Sequence, residues 1–224
     1  MNNSKIEKKL AAEKAVTFLK DGMVVGLGTG NTAEFAINAI GERVKQGLQI
    51  QGIPTSESSH KLAESLGIPL TDFSNNIAID ITIDGADEFD PYLRLIKGGG
   101  GALLREKIVA SATSKNIVIV DASKKVERLG KFLLPVEIIP FAKDLIMDNL
   151  AENGLSPKVR MNNKTPFITD EKNLILDLNI YNQRNLEYLE KRLKSIPGIV
   201  ETGLFLSTTS MVIMGEGKEV KIFD

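Results

Sequence analysis

The feature that most constrains this chain is an alternation, sustained from Ile6 to Val120, of helical stretches with short runs rich in Val and Ile. Apolar spacing predicts helices over 6–19, 32–46, 58–66 and 102–113, and strands over 23–27, 50–53, 77–83 and 116–120. Strands joined through helices run parallel, because each crossover carries the chain back to the same end of the sheet. The expected fold class is therefore α/β, with a Rossmann-like, mostly parallel sheet covered by helices on both faces. Ligands of such sheets sit in loops beyond the carboxyl ends of the strands.

From Leu133 onward the pattern changes. Strands are predicted over 134–139, 158–161, 174–180 and 199–205, with helices over 141–153 and 186–195, the β-α-β-β-α-β order of a ferredoxin-like α+β domain. The runs 210–214 and 220–223 are expected to return to the main sheet. These readings divide the 224 residues into a Rossmann-like catalytic domain, 1–131 with 207–224, and a smaller inserted ferredoxin-like domain, 132–206.

Composition removes several kinds of chemistry. Without cysteine there are no disulfides, thiolate nucleophiles or cysteine-ligated zinc, and with His60 as the one histidine a multi-histidine metal site is impossible. Proton transfer falls to carboxylates or lysines. The 28 basic and 29 acidic residues are spread along the chain, so no nucleic acid partner is expected and a small molecule is. No stretch approaches the ~20 apolar residues of a membrane span, and the opening Met1–Ile6 runs directly into a charged helical pattern. A cytoplasmic protein with no membrane role is the resulting expectation.

Three loops at strand ends carry the candidate chemistry. In Gly26-Leu27-Gly28-Thr29-Gly30-Asn31-Thr32 the glycines let backbone N–H groups face an anion, and Thr29, Asn31, Thr32 and the following helix N-terminus add to a phosphate cradle. The spacing matches neither GxxxxGK[ST] nor GxGxxG, so a monophosphate suits it better than a nucleotide. The plain alternative is a tight βα turn with Thr32 as helix cap. Asp84-Gly85-Ala86-Asp87-Glu88 collects acids that can accept from sugar hydroxyls, move a proton or hold a divalent ion, unless it is only a solvated turn.

The third loop, Lys97-Gly98-Gly99-Gly100-Gly101, enters a helix at Ala102. A glycine run is costly to order and makes sense where backbone approaches a ligand closely or takes positive φ. Lys97 at its head is placed to face a developing oxyanion, or is a surface lysine. Glu106, one turn into the helix, falls on a small, mostly apolar face between Ala102 and Ala110, whereas Lys107, Ser111 and Ser114 make the polar side. That implies a partly buried carboxylate suited to shuttling a proton, against the alternative of a surface glutamate flanked by Arg105 and Lys107. Lys124 follows the strand over 116–120 and offers a point charge to phosphate, or plain surface.

Taken in order, GLGTGNT (26–32), DGADE (84–88), KGGGGALLREK (97–107), VDASK (120–124) and LGKFLLPVEIIP (129–140) resemble ribose-5-phosphate isomerase of type A. The resemblance implies interconversion of ribose 5-phosphate and ribulose 5-phosphate through an enediolate, in the non-oxidative pentose phosphate pathway, with no redox cofactor and no required metal. It implies Glu106 as proton acceptor, Lys97 with the glycine loop on the enediolate, and Asp84 and Asp87 on sugar hydroxyls and ring opening. It carries substrate contacts to Thr29, Gly30, Asn31, Thr32, Asp84, Gly85, Ala86, Asp87, Lys97, Gly98, Gly99, Gly100 and Lys124, with Lys8 a further candidate for phosphate. Asn31 departs from the serine usual in the family, replacing a hydroxyl with a carboxamide that also donates but needs more room. The family also implies a homodimer or homotetramer.

Two other classes compete. A non-catalytic sugar-phosphate sensor has similar phosphate loops, but the residues before Met23 are too few for a helix-turn-helix domain. An acyl-CoA transferase-like enzyme has a related fold and a glutamate nucleophile, and would need a pocket for CoA.

Overall fold

A computed structural model describes residues 3–76 and 78–224. Its helices are α1 (Asn3–Val16), α2 (Ala33–Lys45), α3 (Glu57–Ser65), α4 (Leu103–Ser111), α5 (Lys143–Glu152) and α6 (Leu186–Lys194). The strands run β1 (Val24–Leu27), β2 (Gln51–Pro54), β3 (Ile79–Gly85), β4 (Glu88–Phe89), β5 (Leu95–Ile96), β6 (Thr113–Asp121) and β7 (Leu134–Ile138). They continue as β8 (Lys158–Val159), β9 (Met161–Asn162), β10 (Thr165–Pro166), β11 (Leu174–Leu178), β12 (Ile199–Thr202), β13 (Leu204–Phe205), β14 (Met211–Glu216) and β15 (Glu219–Phe223). The first residue of the strand predicted over 77–83 lies outside the described residues.

The chain forms two compact units. The first takes residues up to Ala86, Arg105–Lys125 and Ser207–Asp224; the second takes Asp87–Leu104 and Val126–Leu206. The domain limits read from the sequence leave 87–104 and 126–131 with the first unit. The structure groups them with the second because β4 and β5 pair with each other and β5 pairs with β13, and because the Val126 N–H donates to Phe89 O at 3.0 Å.

In the first unit a six-stranded sheet has the order β15-β14-β6-β3-β1-β2. All neighbours are parallel except β15, an antiparallel edge strand returning from β14, so the runs 210–214 and 220–223 do rejoin this sheet. Alternate residues Val25, Leu27, Ile81, Ile83, Ile117 and Ile119 share one core with α1 and α2, as the period of two demands. Val109 of α4 packs with Ile53 and Ile79 in a separate cluster. The helix predicted over 102–113 stops at Ser111: the Thr113 hydroxyl donates to Val109 O at 2.6 Å, and the Thr113 backbone already pairs with Ile79 of β3.

In the second unit, β12-β7-β11-β8 forms a fully antiparallel four-stranded sheet. Numbered within the β-α-β-β-α-β repeat this is the order 4-1-3-2 expected of a ferredoxin-like domain. Leu186, Leu189 and Leu193 form an i, i+3, i+7 stripe on α6, which joins Ile146 and Leu150 of α5 and Val136, Ile138, Leu174, Leu176 and Leu178 of the sheet in one core. The strand predicted over 199–205 is two strands, since β12 pairs with β7 and β13 with β5 in a separate three-stranded sheet. The run 158–161 likewise breaks at Arg160 into β8 and β9. No described helix is long and apolar enough to cross a membrane.

Candidate active site

In the first unit the chain leaves β1 for β2 on one side, then returns to β3 on the other, which makes the carboxyl ends of β1 and β3 the topological switch point of the sheet. The loops 28–32 and 84–86 meet there. Asp84 Oδ1 accepts the Thr29 N–H at 3.0 Å and the Gly85 N–H at 2.7 Å, and the Gly28 N–H donates to Ile83 O at 3.0 Å. Asp84 is buried, and hydrogen bonds to a charged group contribute about 1.5–3 kcal/mol each, so this carboxylate fixes one loop against the other. Gly28 makes the approach possible: a Cβ there would lie 2.2 Å from Asp84 Oδ1 and 2.6 Å from its Cα.

The cradle differs in detail from the expectation. The Thr29 hydroxyl lies 2.7 Å from that of Thr55, donates to Ser56 Oγ at 2.8 Å and lies 3.2 Å from Ser59 Oγ. It is built into the start of α3 instead of adding a separate donor to the loop. Thr32 stands at the cap position of α2 but makes no side-chain cap bond, because its backbone is already helical, at φ −83° and ψ −42°. Asn31 is exposed, and Gly30 takes φ +93° as the chain turns into the helix. Gly85 and Ala86 complete the acidic turn, half-buried.

Lys124 ends a single 3-10 turn, Ala122–Lys124, directly after β6. Asp121 heads that turn, taking the Ser123 N–H at 3.0 Å, the Ser4 hydroxyl at 3.2 Å and the Lys8 ammonium at 3.7 Å. Burial works to raise the Asp121 pKa, but the Ser123 bonds, Lys8 and Ser4 outweigh it and hold the carboxyl below its usual range. Lys8 thus already has an anionic partner, while Lys124 lies half-buried at the end of the turn. Glu106, in the first turn of α4, is 5% exposed, so the apolar face read from the sequence does hold a buried carboxylate.

In the second unit the structure brings Asp87 together with the glycine loop. The Asp87 N–H donates to Ile96 O at 2.8 Å, and Asp87 Oδ2 accepts the Gly99 N–H at 2.7 Å. Gly98 and Gly101 take φ of +101° and +85°, and a Cβ on Gly101 would lie 2.3 Å from the Phe167 ring, so the run answers both to positive φ and to close approach. Gly99 and Gly100 are exposed at the tip. Lys97 is no surface residue: it is 3% exposed, its N–H donates to Gly203 O at 2.9 Å, and its ammonium lies 5.5 Å from the centre of the Phe205 ring.

Two groups of residues escaped the sequence reading. Thr55, Ser56 and Ser59 form a hydroxyl cluster beneath the first loop, with Ser59 Oγ donating to Gly28 O at 2.6 Å. A hydroxyl-rich stretch, Thr55–Ser59, at a strand's carboxyl end was the available signal. Arg160 donates to the carbonyls of Gly98 and Gly99 at 2.6 and 3.2 Å, and nothing in the local sequence marked it. Glu88, in contrast, belongs to the scaffold, with its two oxygens accepting the Gly130 and Phe132 N–H groups at 2.8 and 2.5 Å. His60 is an exposed residue of α3.

The sequence profile of ribose 5-phosphate isomerase A (phosphoriboisomerase A) matches residues 51–219. The chain belongs to that family. A relative named ribose-5-phosphate isomerase A 1, from Oceanobacillus iheyensis, is 48% identical over 223 residues, covering 99% of this chain and 100% of its own. That alignment takes in nearly the entire chain, including the first loop, which precedes the profile match. A solved D-ribose-5-phosphate isomerase in complex with phospho-erythronic acid superposes with a TM-score of 0.95 at 39% identity, over 100% of both chains. Ribose 5-phosphate isomerase A from Methanocaldococcus jannaschii gives 0.91 at 42% identity, over 96% of each. The family's α/β fold, with its mostly parallel sheet and helices, is the fold described above.

Proposed function

We propose that this chain is an aldose-ketose isomerase that interconverts ribose 5-phosphate and ribulose 5-phosphate, a step of the non-oxidative pentose phosphate pathway. The observation that carries the residue assignment is the buried carboxylate of Glu106, one turn after the Lys97–Gly101 loop. Glu106 takes the proton from C2 of the open-chain aldose, and the electron pair left behind forms the C1–C2 double bond of a cis-enediolate. The same carboxylate returns the proton to C1, the C2 hydroxyl loses its proton as it becomes the carbonyl, and the former C1 carbonyl oxygen gains one. The balance closes without external oxidant or reductant, because one carbon is reduced as its neighbour is oxidised.

Lys97 and N–H groups of the loop Gly98, Gly99 and Gly100 are assigned the negative oxygen of the enediolate, where donors held in place act most strongly, the Gly99 N–H itself serving to orient Asp87. Asp84 and Asp87 are assigned sugar hydroxyls and ring opening. The phosphate goes to the first loop, Thr29–Thr32, at the N-terminus of α2, with Lys124 as countercharge. Gly85 and Ala86 give backbone room beside Asp84. The charged substrate fits a cytoplasmic enzyme. A homodimer or homotetramer is part of this reading, and the exposed apolar side chains of Ile139, Phe141 (98% accessible) and Leu145 support it.

Purified protein should form ketose from ribose 5-phosphate without added cofactor, and inactivity would sink the reading. Glu106→Gln should lose turnover by about a thousandfold with substrate affinity similar to wild type. A variant keeping more than about a tenth of the wild-type rate would remove Glu106 as the base.

A further inference from the structure

We infer that Arg160 is a positioning residue for the reaction, setting two peptide planes of the glycine loop, one that turns the Gly99 N–H onto Asp87 and one that aims the Gly100 N–H at the developing oxyanion; this rests on the isomerase reading above. The guanidinium is mostly buried and uses three of its sides. Nε and Nη2 bind the two carboxylate oxygens of Asp177, at 3.0 and 2.5 Å, and Nη1 reaches both Gly98 O and Gly99 O. Asp177 belongs to β11, which is paired on both sides, so the fork is held by sheet. The Arg160 backbone is fixed too, its N–H donating to Ile175 O at 2.8 Å and its carbonyl accepting the Phe167 N–H at 2.9 Å.

Peptide geometry supplies the consequence. In a trans peptide C=O and N–H point in opposite directions. Gly98 O turned toward Arg160 therefore sends the Gly99 N–H the other way, where it meets Asp87 Oδ2 at 2.7 Å. Gly99 O turned toward the same guanidinium aims the Gly100 N–H away from it, with Gly100 exposed at the loop tip. Gly98 O also accepts the Gly101 N–H at 3.0 Å, closing the turn. Consecutive glycines have no Cβ to oppose rotation of these planes. Without the guanidinium the Gly99–Gly100 peptide loses the contact that distinguishes one orientation from its reverse, while the Gly98–Gly99 peptide keeps its bonds to Asp87 and Gly101.

The test uses Arg160→Gln, Arg160→Lys and Asp177→Asn in the full chain. Arg160→Gln should lower kcat about thirtyfold while leaving KM for ribose 5-phosphate within about threefold, since the interaction is made mainly to the transition state. Affinity for phospho-erythronic acid, whose carboxylate resembles the planar enediolate, should fall by a factor similar to that of kcat. Arg160→Lys keeps the charge but not the fork and should recover only part of the rate; Asp177→Asn should give a smaller loss of the same pattern.

Arg160→Gln with kcat within threefold of wild type, or with kcat lowered and affinity for the acid unchanged, would overturn the inference. Should Arg160→Gln not fold, wild-type kcat in both folded companion variants would overturn it as well. A wild-type protein inactive on ribose 5-phosphate would instead bring down the isomerase reading itself, a result distinct from an active enzyme indifferent to Arg160.

Discussion

The two units hold their candidate site loops by different means. In the first, the loop after β1 is fixed by what adjoins it in the sheet: Asp84 on the neighbouring strand takes the Thr29 N–H, and the Gly28 N–H bonds to Ile83 O. In the second, Asp87 plays a like part for the Gly99 N–H, but the rest of the glycine run is held by side chains from far along the chain, Arg160 and Phe167, through contacts that no strand pairing dictates. The first arrangement follows from topology, since a parallel sheet places β1 and β3 side by side with their ends together. The second has to be built residue by residue.

The contrast predicts where each half breaks. The largest effect is expected from Gly28→Ala, because the added methyl would overlap Asp84 backbone as well as its carboxylate. Overpacking of this kind costs about 1–3 kcal/mol, and displacing the loop by about 1 Å should lower kcat/KM roughly a hundredfold. Denaturant unfolding and steady-state kinetics would check both. Wild-type values would show that the loops are not locked through this contact. Arg160→Gln, tested as above, should fall below this in kcat/KM and leave the first unit's stability alone.

A milder change sharpens the first unit further. Ser59→Ala removes the hydroxyl that donates to Gly28 O, and leaving a buried acceptor unsatisfied costs about 1–3 kcal/mol. Chemical denaturation should report that loss together with a few-fold rise in KM; an unchanged midpoint would mean the cluster is not part of the loop's support.

The smallest effect concerns Glu137 in the second unit, buried between Thr169 and Asn173, whose side chains donate to Oε1 at 2.9 Å each. Burial raises its pKa, with Glu171 and Asp170 adding to the rise and the Asn173 and Thr169 bonds opposing it. The folded protein then binds more protons than the unfolded chain between the unfolded and folded pKa values, so stability falls as pH rises through that window. Glu137→Gln keeps an acceptor for both donors and cannot ionise. Melting temperatures of the two proteins should converge below the ordinary carboxylate range and separate above it, with the variant higher. A variant equal to or below wild type at neutral pH would contradict this.

The same difference explains what the sequence could convey. The helix and strand alternation to Val120 and the repeat after Leu133 are written in periods of 3.6 and two, and most elements appear where those periods place them, though the runs 158–161 and 199–205 each divide in two. The buried face of Glu106 was legible for the same reason. The strands β4, β5 and β13 were not, since two residues carry no period, and Leu95 finds Phe205 only once the chain has folded. Arg160 lay hidden because its partners, Gly98 and Gly99, are about sixty residues away. A local pattern cannot announce a contact made at that separation.

The position of β14 has a consequence for how the molecule is made. This strand completes the parallel sheet beside β6, and α1 packs so closely that Gly215 has no space for a side chain beside the Glu7 backbone. During synthesis the ribosome delivers Met211–Glu216 only after the whole ferredoxin-like repeat. The first unit to begin is therefore the last to close, and until then the edge of β6 awaits its partner. Of the two units, the Rossmann-like one is accordingly the more exposed to strand-edge misassembly in the nascent chain.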